Sequence, residues 1–165
     1  MLAELAGPFW AERHEGMTSW HPEHIAERYG LFTIIVLGEC ILSAFVAVDT
    51  AIGSGGISTR LMVIAGAGLL AMFGLWSTYF GLSAEEMLRE RKHLSWVWGY
   101  GHYFLFASIA ALGAGIALVA ELAGGHPVEG DHPLSTVGQA LAISLPVAAS
   151  LLLLEIGRAS CRERV

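Results

Sequence analysis

The chain has 165 residues, of which 55% are hydrophobic and 15% charged, with a mean hydropathy of +0.59 and a formal charge of −6. A soluble domain carries about a quarter charged residues, so an ordinary water-soluble globule is excluded, and the acidic balance argues against a nucleic-acid partner. The missing charge corresponds to four apolar runs, 31–48, 61–82, 97–120 and 134–154, of 18, 22, 24 and 21 residues. A helix needs about 20 predominantly apolar residues to cross the hydrocarbon. Runs so rich in Gly and Ala, without strict alternation, are not barrel strands. The expected fold is all-α: a polytopic integral membrane helix bundle of four transmembrane helices, about 22–48, 61–82, 97–120 and 134–154, partnered by the lipid bilayer. In lipid a helix satisfies its own backbone polar groups.

In chain order, residues 1–21 are expected to form a cytoplasmic segment too short for a core of its own. They lack the basic start and short apolar core of a cleavable signal. Pro22 suits the first turn of a helix, with Glu23 at the positive end of its dipole. His21, His24 and Glu27 recur every third residue. Such spacing can line two imidazoles and a carboxylate along one flank for zinc; alternatively the same residues cap and pair at the membrane surface with Arg28.

The first run, "LFTIIVLGECILSAFVAV", carries Glu39 in its middle. At about 1.5 Å per residue Glu39 lies roughly 12 Å past Leu31, near the bilayer midplane. An ionisable group there costs about 2.5–3.5 kcal/mol. Glu39 is therefore expected to face the bundle, either protonated or held ionised by a cation. Arg28 shares its helical face but stands roughly 16 Å away along the axis. Cys40 reads as a small packing residue.

A Gly/Ser turn, "DTAIGSGGIST", leads into the second run, which carries Gly66, Ala67, Gly68 and Ala71 for close packing and ends on Trp76 and Tyr79. After the polar segment "SAEEMLRERKHLS" the third run opens on Trp96, Trp98, Tyr100 and Tyr103. Trp76, Tyr79, Trp98 and Tyr100 are expected to form an aromatic belt at the cytoplasmic interface, a ligand-binding cage being the alternative. His102 lies roughly 8 Å inside the third run, measured from Val97, within about a turn of the depth of Glu39. Its imidazole can donate to a carboxylate or accept from a carboxylic acid. Glu39 and His102 are thus expected to approach each other, in an intramembrane polar network with Arg28, Glu27 and His24. The alternative is that these groups only hold helices together. Ala107, Ala111 and Gly115, four residues apart, offer a smooth face to a neighbouring helix.

The loop "ELAGGHPVEGDHP" has three acids and no Lys or Arg, and its His126 and His132 are a further metal-ligand alternative. Pro146 should kink the last helix or free a carbonyl. Outside the runs, Arg13, Arg28, Arg89, Arg91 and Lys92 stand on one set of alternate loops and Arg60 alone on the other, which puts both termini in the cytoplasm. The closing "IGRASCRERV", residues 156–165, back-translates to a short-read sequencing adapter and is expected to be foreign to the natural chain, a basic tail being the alternative. No Gly-rich phosphate loop, serine-nucleophile elbow or HExxH pair is present. No catalytic residue and no cofactor is therefore expected.

Three stretches together resemble the bacterial low-temperature-requirement A membrane protein family. In "HIAERYGLFTIIVLGEC", His24, Glu27, Arg28, Gly30, Leu31 and the triplet Leu37, Gly38, Glu39 fall on the family's His-x-x-Glu-Arg-x-Gly-Leu and Leu-Gly-Glu pattern. "GLWSTYF" is similar to its Trp-Trp-x-Tyr-Phe segment through Trp76, Tyr79 and Phe80, and "YGHYFLFASIAALGAG" to its Tyr-x-His helix through Tyr100 and His102. Cys40 stands where serine is usual, and Ser77 where the second tryptophan is. Family members are about twice as long, so the chain looks like the C-terminal half of one. The resemblance implies a multi-pass protein of the bacterial inner membrane, linked by name to growth in the cold, and supplies no reaction. It also implies the missing N-terminal half, or another copy of the chain, as a partner. The leading expectation is a transport or permeation bundle built on the Glu39, His102 and Arg28 network. A non-transporting scaffold and a metalloenzyme using His21, His24 and Glu27 are the alternatives.

Overall fold

A computed structural model describes residues 21–81, 84–90, 95–124 and 134–162. Among these residues there are five helices and no strand: α1 Pro22–Gly55, α2 Thr59–Phe80, α3 Ala84–Glu90, α4 Ser95–Ala123 and α5 Thr136–Arg162. All but α3 are long and apolar enough to cross a membrane. Local chemistry sets their ends. α1 starts at Pro22 after an extended His21, with Glu23 in its first turn. It stops at Gly56, whose φ of 78° favours glycine and whose N–H returns to the Ile52 carbonyl at 2.9 Å. Ser58 caps α2 by accepting from the Leu61 N–H at 3.1 Å, and Ser135 caps α5 by accepting from the Gly138 N–H at 3.1 Å.

Several helices overrun their apolar runs, because a run is cut at its first polar residues whereas backbone hydrogen bonding continues into the interface. In α1 the helix passes Asp49, and the Thr50 hydroxyl donates back to the Val46 carbonyl at 2.9 Å. Part of the polar segment between α2 and α4 becomes α3, which buries Met87 and Leu88 and pairs Glu85 with Arg89 at 2.6 Å on its outer side.

α4 is the central helix, packing chiefly against α1 and α5 and also against α2. It runs parallel to α1: Tyr29 lies beside His102, Cys40 against Gly113, and Ala51 against Gly124. α2 and α5 run back the other way, Tyr79 meeting His102, Gly68 meeting Ile116, and Ser150 meeting Ser108. At the far end Arg60 Nη2 donates to Gln139 Oε1 at 2.7 Å, tying the start of α2 to the start of α5.

α1 touches the bundle along one narrow stripe. Gly30, Thr33, Leu37, Cys40, Ala47 and Ala51 are its buried residues, spaced three, four or seven apart, the repeat of one helical face turned inward, chiefly onto α4 and also onto α2 and α3. Glycines let the backbones close up. A Cβ at Gly113 would sit 2.7 Å from Cys40 Sγ, and one at Gly124 would sit 2.6 Å from the Ala51 Cβ. A Cβ at Gly115 would run into the Ala142 carbonyl, the group left without its usual donor because Pro146 has no N–H. Ala107 and Ala111, expected on this packing face, are instead exposed; the close contacts come from Gly113 and Gly115, which serve different neighbours. On α2 Gly68 is buried, while Gly66 and Ala67 face outward.

The core lies around α4, with Leu105, Ile109, Leu112 and Ile116 joined by Leu37, Met72 and Leu75. Large apolar side chains such as Phe45, Leu70, Val97 and Leu145 are more than 60% exposed. That pattern suits hydrocarbon as solvent, and the protein is an integral, multi-pass membrane bundle.

Candidate functional site

Among the described residues four polar or charged side chains are buried: Thr33, His102, Ser108 and Ser150. His102 is the titratable one, 7% exposed, on the inward face of α4. Its Nδ1 lies 2.7 Å from the Trp98 carbonyl one turn back, and its Nε2 lies 3.0 Å from the Tyr79 hydroxyl on α2. A carbonyl only accepts, so the proton belongs on Nδ1; Nε2 of the neutral ring is then the acceptor and Tyr79 the donor.

Four aromatic rings enclose this imidazole. Trp98 is centred 4.2 Å away, Tyr29 4.7 Å, Phe106 5.6 Å and Tyr79 5.7 Å. The Thr33 hydroxyl donates to the Tyr29 carbonyl at 2.9 Å and also lies beside the Tyr79 phenol. α1, α2 and α4 therefore each contribute to one buried polar cluster.

A cavity of about 570 Å³ opens at this end of the bundle, between the ends of α2 and α5, the start of α4, and α3. Tyr79, Trp98 and His102 line it, with Glu86 and Glu90 of α3. A second hollow of about 690 Å³ lies on the other side of Tyr79, bounded by Gly30, Phe80 and Arg89. Tyr79 is common to both.

Deeper in the bundle, Ser108 and Ser150 face each other at 2.8 Å, each also bonded to its own helix, at the Leu105 and Pro146 carbonyls. Cys40 Sγ donates to the Ile109 carbonyl at 3.3 Å. Beyond these the helices close on apolar side chains, with Leu61, Leu112 and Ile116 all 1% exposed or less.

A family model described as Bacterial low temperature requirement A protein (LtrA) matches residues 1–165. The chain belongs to the bacterial low temperature requirement A family. No curated protein and no solved structure matches it.

In this LtrA chain the residues expected to act together separate. Glu39 is exposed on the outer side of α1, away from α4, and does not meet His102. The expectation that the two lie within about a turn of one another in depth is also corrected. His102 stands level with Tyr29, whereas the residue next to Glu39, Cys40, stands level with Ile109 and Gly113. The ten residues between Tyr29 and Glu39 amount to about 15 Å of helix. Depths measured from Leu31 in one run and Val97 in another had no common origin.

Arg28, Glu27 and His24 are exposed near the start of α1, and none reaches the His102 cluster. His24 Nδ1 and Glu27 Oε2 are 3.9 Å apart, at 71% and 68% side-chain exposure, and the His21 and His24 rings are 5.7 Å apart. Among the described residues no group of three His, Cys, Asp or Glu side chains is placed to hold a metal. His126 and His132 lie outside the described residues.

The four aromatic residues read as a belt divide in two. Trp76 and Tyr100 are exposed, at 44% and 38%, as an interfacial belt requires. Tyr79 and Trp98 turn inward onto His102. Thr33, Ser108 and Ser150 were not anticipated. Thr33 could have been found from its place on the small-residue stripe of α1, and Ser150 from its position four residues after Pro146.

Proposed function

We propose that this LtrA protein is a transport- or permeation-type bundle of the bacterial inner membrane, with both termini in the cytoplasm, and that its working pair is His102 and Tyr79. The observation that carries the reading is a cavity that ends on a buried imidazole hydrogen-bonded to a phenol. Intramembrane ionisable groups lining a cavity are how proton and ion pathways are built. Arg28 and Arg89 stand at the cavity's end of the bundle and Arg60 at the other, so the positive-inside rule turns the cavity to the cytoplasm.

The cluster has the chemistry to hold one proton without stranding a polar group. In the neutral state Tyr79 donates to Nε2. A proton taken up at Nε2 reverses that bond, so that Nε2–H donates to the phenol oxygen and the phenol proton turns toward Thr33. Thr33 has already committed its own proton to the Tyr29 carbonyl and keeps lone pairs free to accept. The apolar closure around Leu112 and Ile116 makes the path gated rather than open. Glu39, Arg28, Glu27 and His24 take no part in this pair.

The test uses proteoliposomes loaded with a pH-reporting dye and driven by a potassium–valinomycin potential. Wild type should carry protons faster than protein-free vesicles, and His102→Gln and Tyr79→Phe should each slow that flux while the protein remains folded. Flux no greater than in protein-free vesicles would leave the second reading, a membrane scaffold. That reading is favoured by the Gly113–Cys40 and Gly115–Ala142 contacts and the Ser108–Ser150 pair, all of which serve helix packing.

A further inference from the structure

We propose that the route leading inward from the His102 cavity is the seam between α4 and α5, with the Ser108–Ser150 pair as its next proton-carrying station and Leu105 and Leu154 as the gate at its cavity end. The route rests on the reading of that cavity as the working site. Leu105 of α4 and Leu154 of α5 line the cavity beside His102, and both are buried, so they form its inner wall. The serine pair stands directly behind that wall. The Ser108 hydroxyl donates to the carbonyl of Leu105 itself at 2.8 Å, and Ser150 is one helical turn from Leu154.

The proton count of the pair sets it apart from a simple helix clasp. A clasp needs one proton between two oxygens. Here Ser108 contacts the Leu105 carbonyl, Ser150 contacts the Pro146 carbonyl at 2.9 Å, and the two hydroxyls contact each other at 2.8 Å. Each hydroxyl carries one proton, so the two protons serve three contacts and one contact always lacks its own. A proton delivered to either hydroxyl fills the deficit, and that hydroxyl can release its original proton onward.

Past the pair the seam stays polar. Leu154, Ser150, Pro146 and Ala142 are spaced four apart on one face of α5. The Ala142 carbonyl, without its usual donor, is directed at Gly115 of α4. Three residues further along, Gln139 accepts from Arg60 at the far end of the bundle. Oxygen atoms thus follow one another down the seam at steps of about 6 Å, and such a row suits a positive charge. Towards α1 and α2, the packing of α4 beyond His102 is apolar apart from the Cys40 thiol on the Ile109 carbonyl. The apolar pair Leu105 and Leu154 is the interruption between the cavity and this row, and an apolar constriction gates by excluding water.

Two measurements separate the route from the reading beneath it. In nanodiscs, in a Cys40→Ser, Cys161→Ser background, Ser150→Cys should react slowly with aminoethyl methanethiosulfonate, and adding Leu154→Ala should speed that reaction severalfold. Met72→Cys, on α2 and also buried, should stay unreactive with or without Leu154→Ala, which excludes a general loosening of the core. In the proteoliposome assay Leu154→Ala should raise the proton flux, and Ser150→Ala should lower it severalfold in wild type and in Leu154→Ala alike. A pair that only joined helices would lower thermal stability and leave flux unchanged. Flux unaffected by Ser150→Ala, no acceleration of Ser150→Cys labelling, or equal acceleration at Met72→Cys overturns the route and leaves His102 and Tyr79 as the working pair. Wild-type flux no greater than in protein-free vesicles overturns the permeation reading and the route with it.

Discussion

At the scale of single residues, His102 shows how an ionisable group is accommodated in hydrocarbon. Both ring nitrogens are bonded, one to a carbonyl of its own helix and one to a phenol from the next. Tyr79→Phe removes the second partner and leaves Nε2 buried and unsatisfied, which costs about 1–3 kcal/mol. Thermal unfolding in detergent should show that loss. In a double-mutant cycle, Tyr79→Phe should cost less when His102 is already Leu; strictly additive losses would mean that the bond contributes nothing. The sequence marked His102 as a residue of interest, because an imidazole inside an apolar run stands out. It did not identify Tyr79 as the partner, because an aromatic residue near the end of a span reads equally well as an interfacial anchor. Glu39 was legible in the same way, and the direction of its side chain was not.

Among whole elements, the contact between α4 and α5 depends on the absence of a side chain at Gly115. Pro146 cannot donate to Ala142, and the freed carbonyl is directed at Gly115. Gly115→Ala should destabilise the bundle by about 1–3 kcal/mol through overpacking. Gly66→Ala, where nothing lies within 4 Å, should be neutral or stabilising by up to about 1 kcal/mol through helix propensity. Detergent melting curves of the two variants measured side by side make the comparison; equal effects would show that α4 and α5 do not approach this closely. The spans themselves were legible, since length and hydropathy suffice to recognise a membrane helix. Their inward faces were not. Ala107, Ala111 and Gly115 suggested one smooth face, whereas the fold leaves both alanines exposed and uses Gly113 and Gly115 against two different helices.

For the whole molecule, the Arg60–Gln139 bond and the parallel course of α1 and α4 place the 56–58 turn and the start of α5 on one side of the membrane, with α3 on the other. In the Cys40→Ser, Cys161→Ser background, a membrane-impermeant maleimide should label Ile57→Cys and Leu134→Cys from outside the cell. Glu85→Cys should react only after permeabilisation. Labelling of positions 57 and 134 from opposite sides would contradict the four-span course.

Sequence alone determined that this chain is a multi-pass helical membrane protein, and its motif letters pointed to the family. Transfer into a bilayer is close to a sum over individual residues, so a run of 18 to 24 apolar positions carries that information locally. Only the tertiary structure decided which groups meet. These helices are apolar nearly all round, because lipid and bundle interior are equally apolar, so no polar face marks the inward side. Rotation and register then rest on contacts between residues distant in the chain, Cys40 with Gly113 and Ala142 with Gly115. Those contacts set Tyr79 against His102 and turned Glu39 outward.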